Sequence, residues 1–171
     1  KKLNWYDNIP LISFILLGGK CRKCKKEISI NYFFVELIAG LSFVYLFLNY
    51  NNYLEIIFLQ IIVIIFLIIF SIDLKHFIIP DSLNYSLMGL VIIKNFIPNF
   101  ESNFTYDLNQ SIIGGISGFL TIWIIIFLYK QIRKIEAMGI GDAKFMAAVG
   151  LLFGWKSIPF VLFVSALLGL L

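Results

Sequence analysis

The sequence predicts an all-α, polytopic transmembrane bundle of about five to six spans, preceded by a basic loop. Composition, the spacing of apolar runs and the placing of positive charge carry that prediction. Of 171 residues, 60% are hydrophobic and 14% charged, with a mean hydropathy of +0.93. Ordinary soluble domains are about 45–50% apolar and about 25% charged. This chain has too little polar surface to cover one water-soluble core. A disordered chain, a nucleic-acid-binding module and a soluble enzyme are therefore excluded.

A span needs about 20 apolar residues, and the runs are taken in order. The first covers 31–50 and is broken by Asn51-Asn52. The second, 53–72, is the strongest, with 61–70 entirely apolar. A third, 82–97, is short and interrupted by Lys94, and the stretch 99–109 after it is polar. A fourth lies at 111–129. The fifth, 143–154, is long enough to reach only part of the way across, and a sixth begins near Ile158.

Charge sets the orientation. Seven of the 14 basic residues fall in 1–30. Lys75 follows the second span, and Lys130, Arg133, Lys134 and Lys144 surround the turn after the fourth. The loops at 51–52 and 98–110 carry none, leaving Lys94 and Lys156 on that side. Lys/Arg excess marks the cytoplasmic face, so residues 1–30, 73–81 and 130–142 are predicted to be cytoplasmic. The net charge of +4 is read as a topology signal beside an anionic bilayer, with no nucleic-acid partner. The chain divides into a cytoplasmic loop at 1–30 and a membrane domain at 31–171. It starts on Lys1 and stops within an apolar run, so it is expected to be a fragment, truncated at its C-terminus.

Ionisable groups in membrane helices are costly and so are functional candidates. Glu36, Asp73, Asp81 and Asp142 sit in or beside apolar segments; Glu55 is expected to reach the interface and carries little weight. Asp81, after Pro80, suits an N-cap of the third span. Asp73 is expected at a helix C-terminus, where the dipole disfavours an anion. Asp142 lies in Gly139-Ile-Gly-Asp-Ala-Lys144, which by itself is equally well a tight turn with an Asp cap. Gly139 and Gly141 allow close backbone approach. Asp73 and Asp142 come from different helices yet face the same side, so they can meet at one depth. Two such carboxyls share one proton. The ionised member can then activate water while the other protonates a carbonyl oxygen. The helix dipoles would make Asp73 the more often protonated member and Asp142 the resting carboxylate. His76 has no Ser or Cys constellation, and no HExxH motif occurs.

These residues resemble the type IV prepilin peptidases, which are GxGD-type membrane aspartyl proteases. Asp73…Ile79-Pro80-Asp81 and Gly139-Ile-Gly141-Asp142-Ala-Lys144 carry the resemblance. The stretch from Trp5 through Gly19-Lys-Cys21-Arg-Lys-Cys24 to Val35-Glu36 extends it. The resemblance implies an endopeptidase of the bacterial inner membrane. It would cut basic leaders from prepilins and type II secretion pseudopilins on the cytoplasmic side, with Asp73 and Asp142 catalytic. Pro80, Asp81, Gly139, Gly141 and Lys144 would support the motif. It also implies methylation of the new N-terminus with S-adenosylmethionine, with Glu36 a pocket acid for that reaction. The alternative for Glu36 is pairing with Lys25 or Lys26. Cys21 and Cys24 make half of a zinc knuckle. The resemblance places the other ligands upstream, so zinc is expected in the full-length protein and not in this chain. Another GxGD protease, or a non-enzymatic transporter or assembly segment, remains as the alternative function.

Overall fold

The computed structural model of the protein describes residues 9–94, 108–134 and 138–169. Among these residues the fold is all-helical, with α1 (Ile12–Leu16), α2 (Ile30–Asn49), α3 (Tyr53–His76) and α4 (Asp81–Lys94) in the first part. Then follow α5 (Leu108–Arg133), α6 (Ile140–Phe153), a single 3-10 turn (Trp155–Ser157) and α7 (Ile158–Gly169). Trp5 and most of the predicted polar stretch 99–109 lie outside the described residues.

The chain forms two compact units that divide within α3, residues 1–71 and 72–171. In the first, α1 leads into a small hairpin. Its closing bonds run from the Ile28 amide to the Gly19 carbonyl (2.7 Å) and from the Cys21 amide to the Lys26 carbonyl (2.9 Å). Ser29 then caps α2, its Oγ accepting the Asn31 amide at 3.4 Å. The α2 and α3 helices share a polar clasp within their apolar lengths. Gln60 Nε2 donates to the Ala39 carbonyl at 3.1 Å, and Ser42 Oγ donates to Gln60 Oε1 at 3.1 Å. Side-chain amides and hydroxyls hold spanning helices together in this way, each bond contributing roughly 1 kcal/mol.

The second unit is organised around α5 and α6. Gly114, Gly115 and Gly118 are buried on one face of α5, while Ala143, Ala147 and Gly150 are buried on α6. A Cβ built on Gly114 would strike the Gly150 carbonyl oxygen, and one on Gly150 would strike the Gly114 carbonyl oxygen. The two backbones therefore touch with no side chain between them, the small-residue packing that membrane helices favour. α6 ends at Gly154, whose φ of 71° and ψ of 171° suit glycine. There the chain bends by 120° into the following helix.

Among the described residues, three helices are long and apolar enough to cross a membrane: α2, α3 and α5. The α6–α7 pair makes a fourth if its two arms are one bent span. At 14 residues, α4 and α6 each extend about 21 Å, short of a hydrocarbon core of about 30 Å. Glu55 departs from expectation. It lies in the first turn of α3 and is only 5% exposed, so it does not reach out to an interface. A helix N-terminus compensates an acid there.

Candidate active site

The second unit brings the end of α3, the start of α4 and the start of α6 around one open cleft. α3 terminates because Phe77 turns left-handed, with φ 53°. Its amide bonds to the Asp73 carbonyl at 2.8 Å, which closes the last turn as an αL cap. Glycine is the usual residue at such a cap. A bulky residue there is strained by about 1–3 kcal/mol. Pro80 next disfavours helix at Ile79 and starts α4, its carbonyl accepting the Leu83 and Asn84 amides at 3.2 and 3.3 Å.

On the opposite wall, Gly139 is extended (φ −79°, ψ 153°) and α6 begins at Ile140. Asp142 Oδ2 accepts the Gly139 amide at 3.1 Å, which ties the carboxylate back onto the turn. Asp142 is thus the third helical residue folding back on the helix start, not the cap residue itself. Asp73, Pro80, Gly139, Gly141 and Asp142 line a cleft of about 490 Å³, with Phe77 to Ile79 as its apolar wall and Asp81 and Lys144 at its margin.

Asp73 is exposed and Asp142 half-buried, and both line the same cleft.

Asp81 differs from expectation too. It is the first residue of α4, and its carboxylate accepts from Lys144 Nζ at 2.6 Å instead of capping the backbone. Lys144 also sits over the Tyr85 ring, 5.6 Å from its centroid. Pro80 already supplies the carbonyl on which the first turn closes, which frees the Asp81 side chain to pair across to α6.

One residue of this region was not singled out from sequence. Asn84 is 0% exposed, and its Nδ2 donates to the Gly141 carbonyl in a long bond of 3.4 Å. Its Oδ1 is buried with no partner among the described residues. An unsatisfied buried acceptor costs about 1–3 kcal/mol. The signal was available: a helical period puts Asn84 on one face with Leu87 and Val91, and both of these are buried.

The other candidate residues lie in the first unit. Glu36 lines a separate cleft of about 500 Å³ with Pro10, Ser13, Phe14, Leu17, Ile28 and Tyr32. Its Oε2 accepts the Leu11 amide at 2.9 Å, so the expected alternative of pairing with Lys25 or Lys26 is replaced by a backbone bond. Cys21 and Cys24 sit in the hairpin turn, where Lys25 takes φ 58° and its amide bonds to the Cys21 carbonyl at 2.9 Å. A structural zinc takes four ligands, and no group of three or more His, Cys, Asp or Glu side chains converges among the described residues. The two thiols do not by themselves fit the metal.

Sequence comparison places the chain among known proteins. A model of the type IV leader peptidase family matches residues 60–171, and a model of the bacterial peptidase A24 N-terminal domain matches residues 1–50. The chain is 32% identical over 167 residues to a prepilin leader peptidase/N-methyltransferase of Vibrio cholerae serotype O1, covering 98% of this chain and 64% of the relative. A protein of the same description from Pectobacterium carotovorum is 34% identical over 164 residues, covering 96% of this chain and 57% of the relative. One from Dickeya chrysanthemi is 31% identical over 170 residues, covering 99% and 58%. The chain thus spans somewhat more than half the length of these relatives. No solved structure matches it. With the family model covering the helices that carry both aspartates, the chain belongs to the type IV leader peptidase family.

Proposed function

We propose that the full-length protein is an aspartic endopeptidase of the bacterial inner membrane. It removes the basic leader from type IV prepilins and type II secretion pseudopilins. The observation that carries this reading is the shared cleft: Asp73 from the end of α3 and Asp142 from the start of α6 line one open cavity. In this reading the two carboxyls hold one proton between them. The ionised carboxylate takes a proton from water as the hydroxide adds to the scissile carbonyl carbon, and the protonated partner gives its proton to the carbonyl oxygen. The tetrahedral diol then collapses: the newly protonated carboxyl gives its proton to the departing nitrogen as the C–N bond breaks, and the other carboxylate takes a hydroxyl proton from the diol as C=O re-forms, which restores the shared proton. The polar residues at the cleft margin hold this arrangement, with Lys144 neutralising Asp81 beside the dyad.

The cytoplasmic face is part of the proposal. Lys75 lies at the end of α3, and Lys130 and Arg133 lie in the last turn of α5, which leads to Gly139. The end of α3 lines the cleft, and cations in the last turns of α3 and α5 are what a cytoplasmic side would carry. On this orientation residues 1–30 form a cytoplasmic loop. The predicted five to six spans would then count α4 and the two arms of the α6–α7 pair individually.

N-methylation of the product's new N-terminus is proposed from the relatives' description alone, with S-adenosylmethionine as methyl donor and Glu36 as a pocket acid. Zinc on Cys21 and Cys24 is proposed only with further ligands in the full-length protein. Mass spectrometry of a prepilin incubated with the full-length protein in membranes tests both reactions. The expected products are a mass loss equal to the leader and an added methyl on the mature chain. Cleavage should vanish in both Asp73→Asn and Asp142→Asn while each variant still inserts. Full cleavage by Asp73→Asn would end the dyad reading.

A further inference from the structure

We infer that Asn84 is a positioning residue for Asp142, acting through the carbonyl of Gly141. The inference rests on the dyad reading above. Three observations point to it. Asn84 is fully buried in the first turn of α4. Its amide nitrogen donates across to the backbone immediately before Asp142. Its amide oxygen faces protein with no donor among the described residues. A leucine of similar branching would suit the buried face that Asn84 shares with Leu87 and Val91 and would carry no unpaired acceptor. Stability therefore gives no reason for an amide here, and what remains is the bond it makes.

The amide orientation is fixed by that bond. Turned over, Asn84 would set its oxygen against the Gly141 carbonyl oxygen, a repulsive contact. The Gly141 peptide links directly to the Asp142 Cα, so holding its carbonyl fixes the rotation of the first turn of α6. Ala143 of the same turn is also fully buried, but its methyl supplies packing and no directional bond. The Gly139 amide belongs to the same turn and moves with it. The Lys144–Asp81 pair joins the same two helices, but at an exposed margin where water competes. Asn84 is the internal tie that sets how far Asp142 stands from Asp73.

The test uses the full-length protein in membranes and a prepilin substrate. Asn84→Leu should insert and resist thermal unfolding at least as well as wild type. Its kcat should fall about tenfold, as small displacements of reacting groups do, with KM within about twofold. The pH profile of kcat should also change in width, because the proposed sharing of one proton depends on how the two carboxyls are spaced. Asn84→Ala, which removes the tie without adding volume, should lose kcat similarly.

A kcat within about twofold of wild type with an unchanged profile would overturn the inference. So would a loss of activity that merely tracks loss of folded protein, or failure of both variants to insert, since either makes Asn84 structural. Asp73→Asn is run in parallel. If it retains activity the dyad reading fails. If it is inactive while Asn84→Leu behaves as wild type, only this inference fails.

Discussion

The second unit uses glycine in two places for opposite reasons. Along the α5–α6 contact, Gly114 and Gly150 are demanded by the protein itself, since each lacks room for one more carbon against the other's carbonyl. Around the cleft, Gly139 and Gly141 are not. A Cβ on Gly139 would have Asp142 Oδ2 as its nearest neighbour at 3.7 Å, and one on Gly141 would meet the Ile79 carbonyl at 3.5 Å, both ordinary contacts. Gly139 is extended at φ −79°, so neither backbone strain nor packing calls for glycine there. One pair of glycines closes a dry seam, and the other keeps open a space that the fold does not fill.

The largest effect is expected at the seam. Gly150→Leu should separate α5 from α6 and cost about 3 kcal/mol or more, the upper range for overpacking a close contact. Thermal unfolding in detergent would read it, and an unchanged midpoint would mean the helices do not touch as described. A smaller effect of opposite sign is expected at the cleft wall. Phe77→Gly should stabilise α3 by about 1 kcal/mol by relieving the left-handed cap. The same change removes an aromatic ring that is 87% exposed at the cleft, so prepilin cleavage should weaken as stability rises. A stability loss instead would show that the ring packs where it has been described as open. The smallest stability effect belongs to Gly141→Ala, within about 0.5 kcal/mol of wild type. On the proposed function, kcat/KM should nonetheless fall about tenfold. Equal activity would mean that substrate does not use the space.

What the sequence made legible follows the same division. Long apolar runs announce themselves, and the predicted 31–50 and 53–72 lie close to α2 and α3, as 111–129 lies within α5. The two aspartates were legible because charge is scarce in such a chain, so each acid needs a reason. Other features depend on partners distant in sequence, which hydropathy does not register. The burial of Glu55, the Lys144–Asp81 pair and the Asn84–Gly141 bond are of this kind. The glycine seam was within reach, since Gly114, Gly115 and Gly118 fall on one helical face in the small-xxx-small manner. Their low hydropathy hid them inside a span defined by its isoleucines and phenylalanines.

The seam also acts as a ruler. Asp142 and Gly150 stand eight residues apart on one helix, about 12 Å along its axis. Because each glycine occupies the other's missing side chain, α6 has no neighbouring register to slide into. Sliding by one position would bring a side-chain-bearing residue into the slot. The depth of the Asp142 carboxylate is therefore measured off from a contact some 12 Å away. Inserting or deleting one residue between positions 144 and 150 would shift the acid by about 1.5 Å and swing it by about 100°, out of the cleft, while every residue that lines the cleft kept its identity.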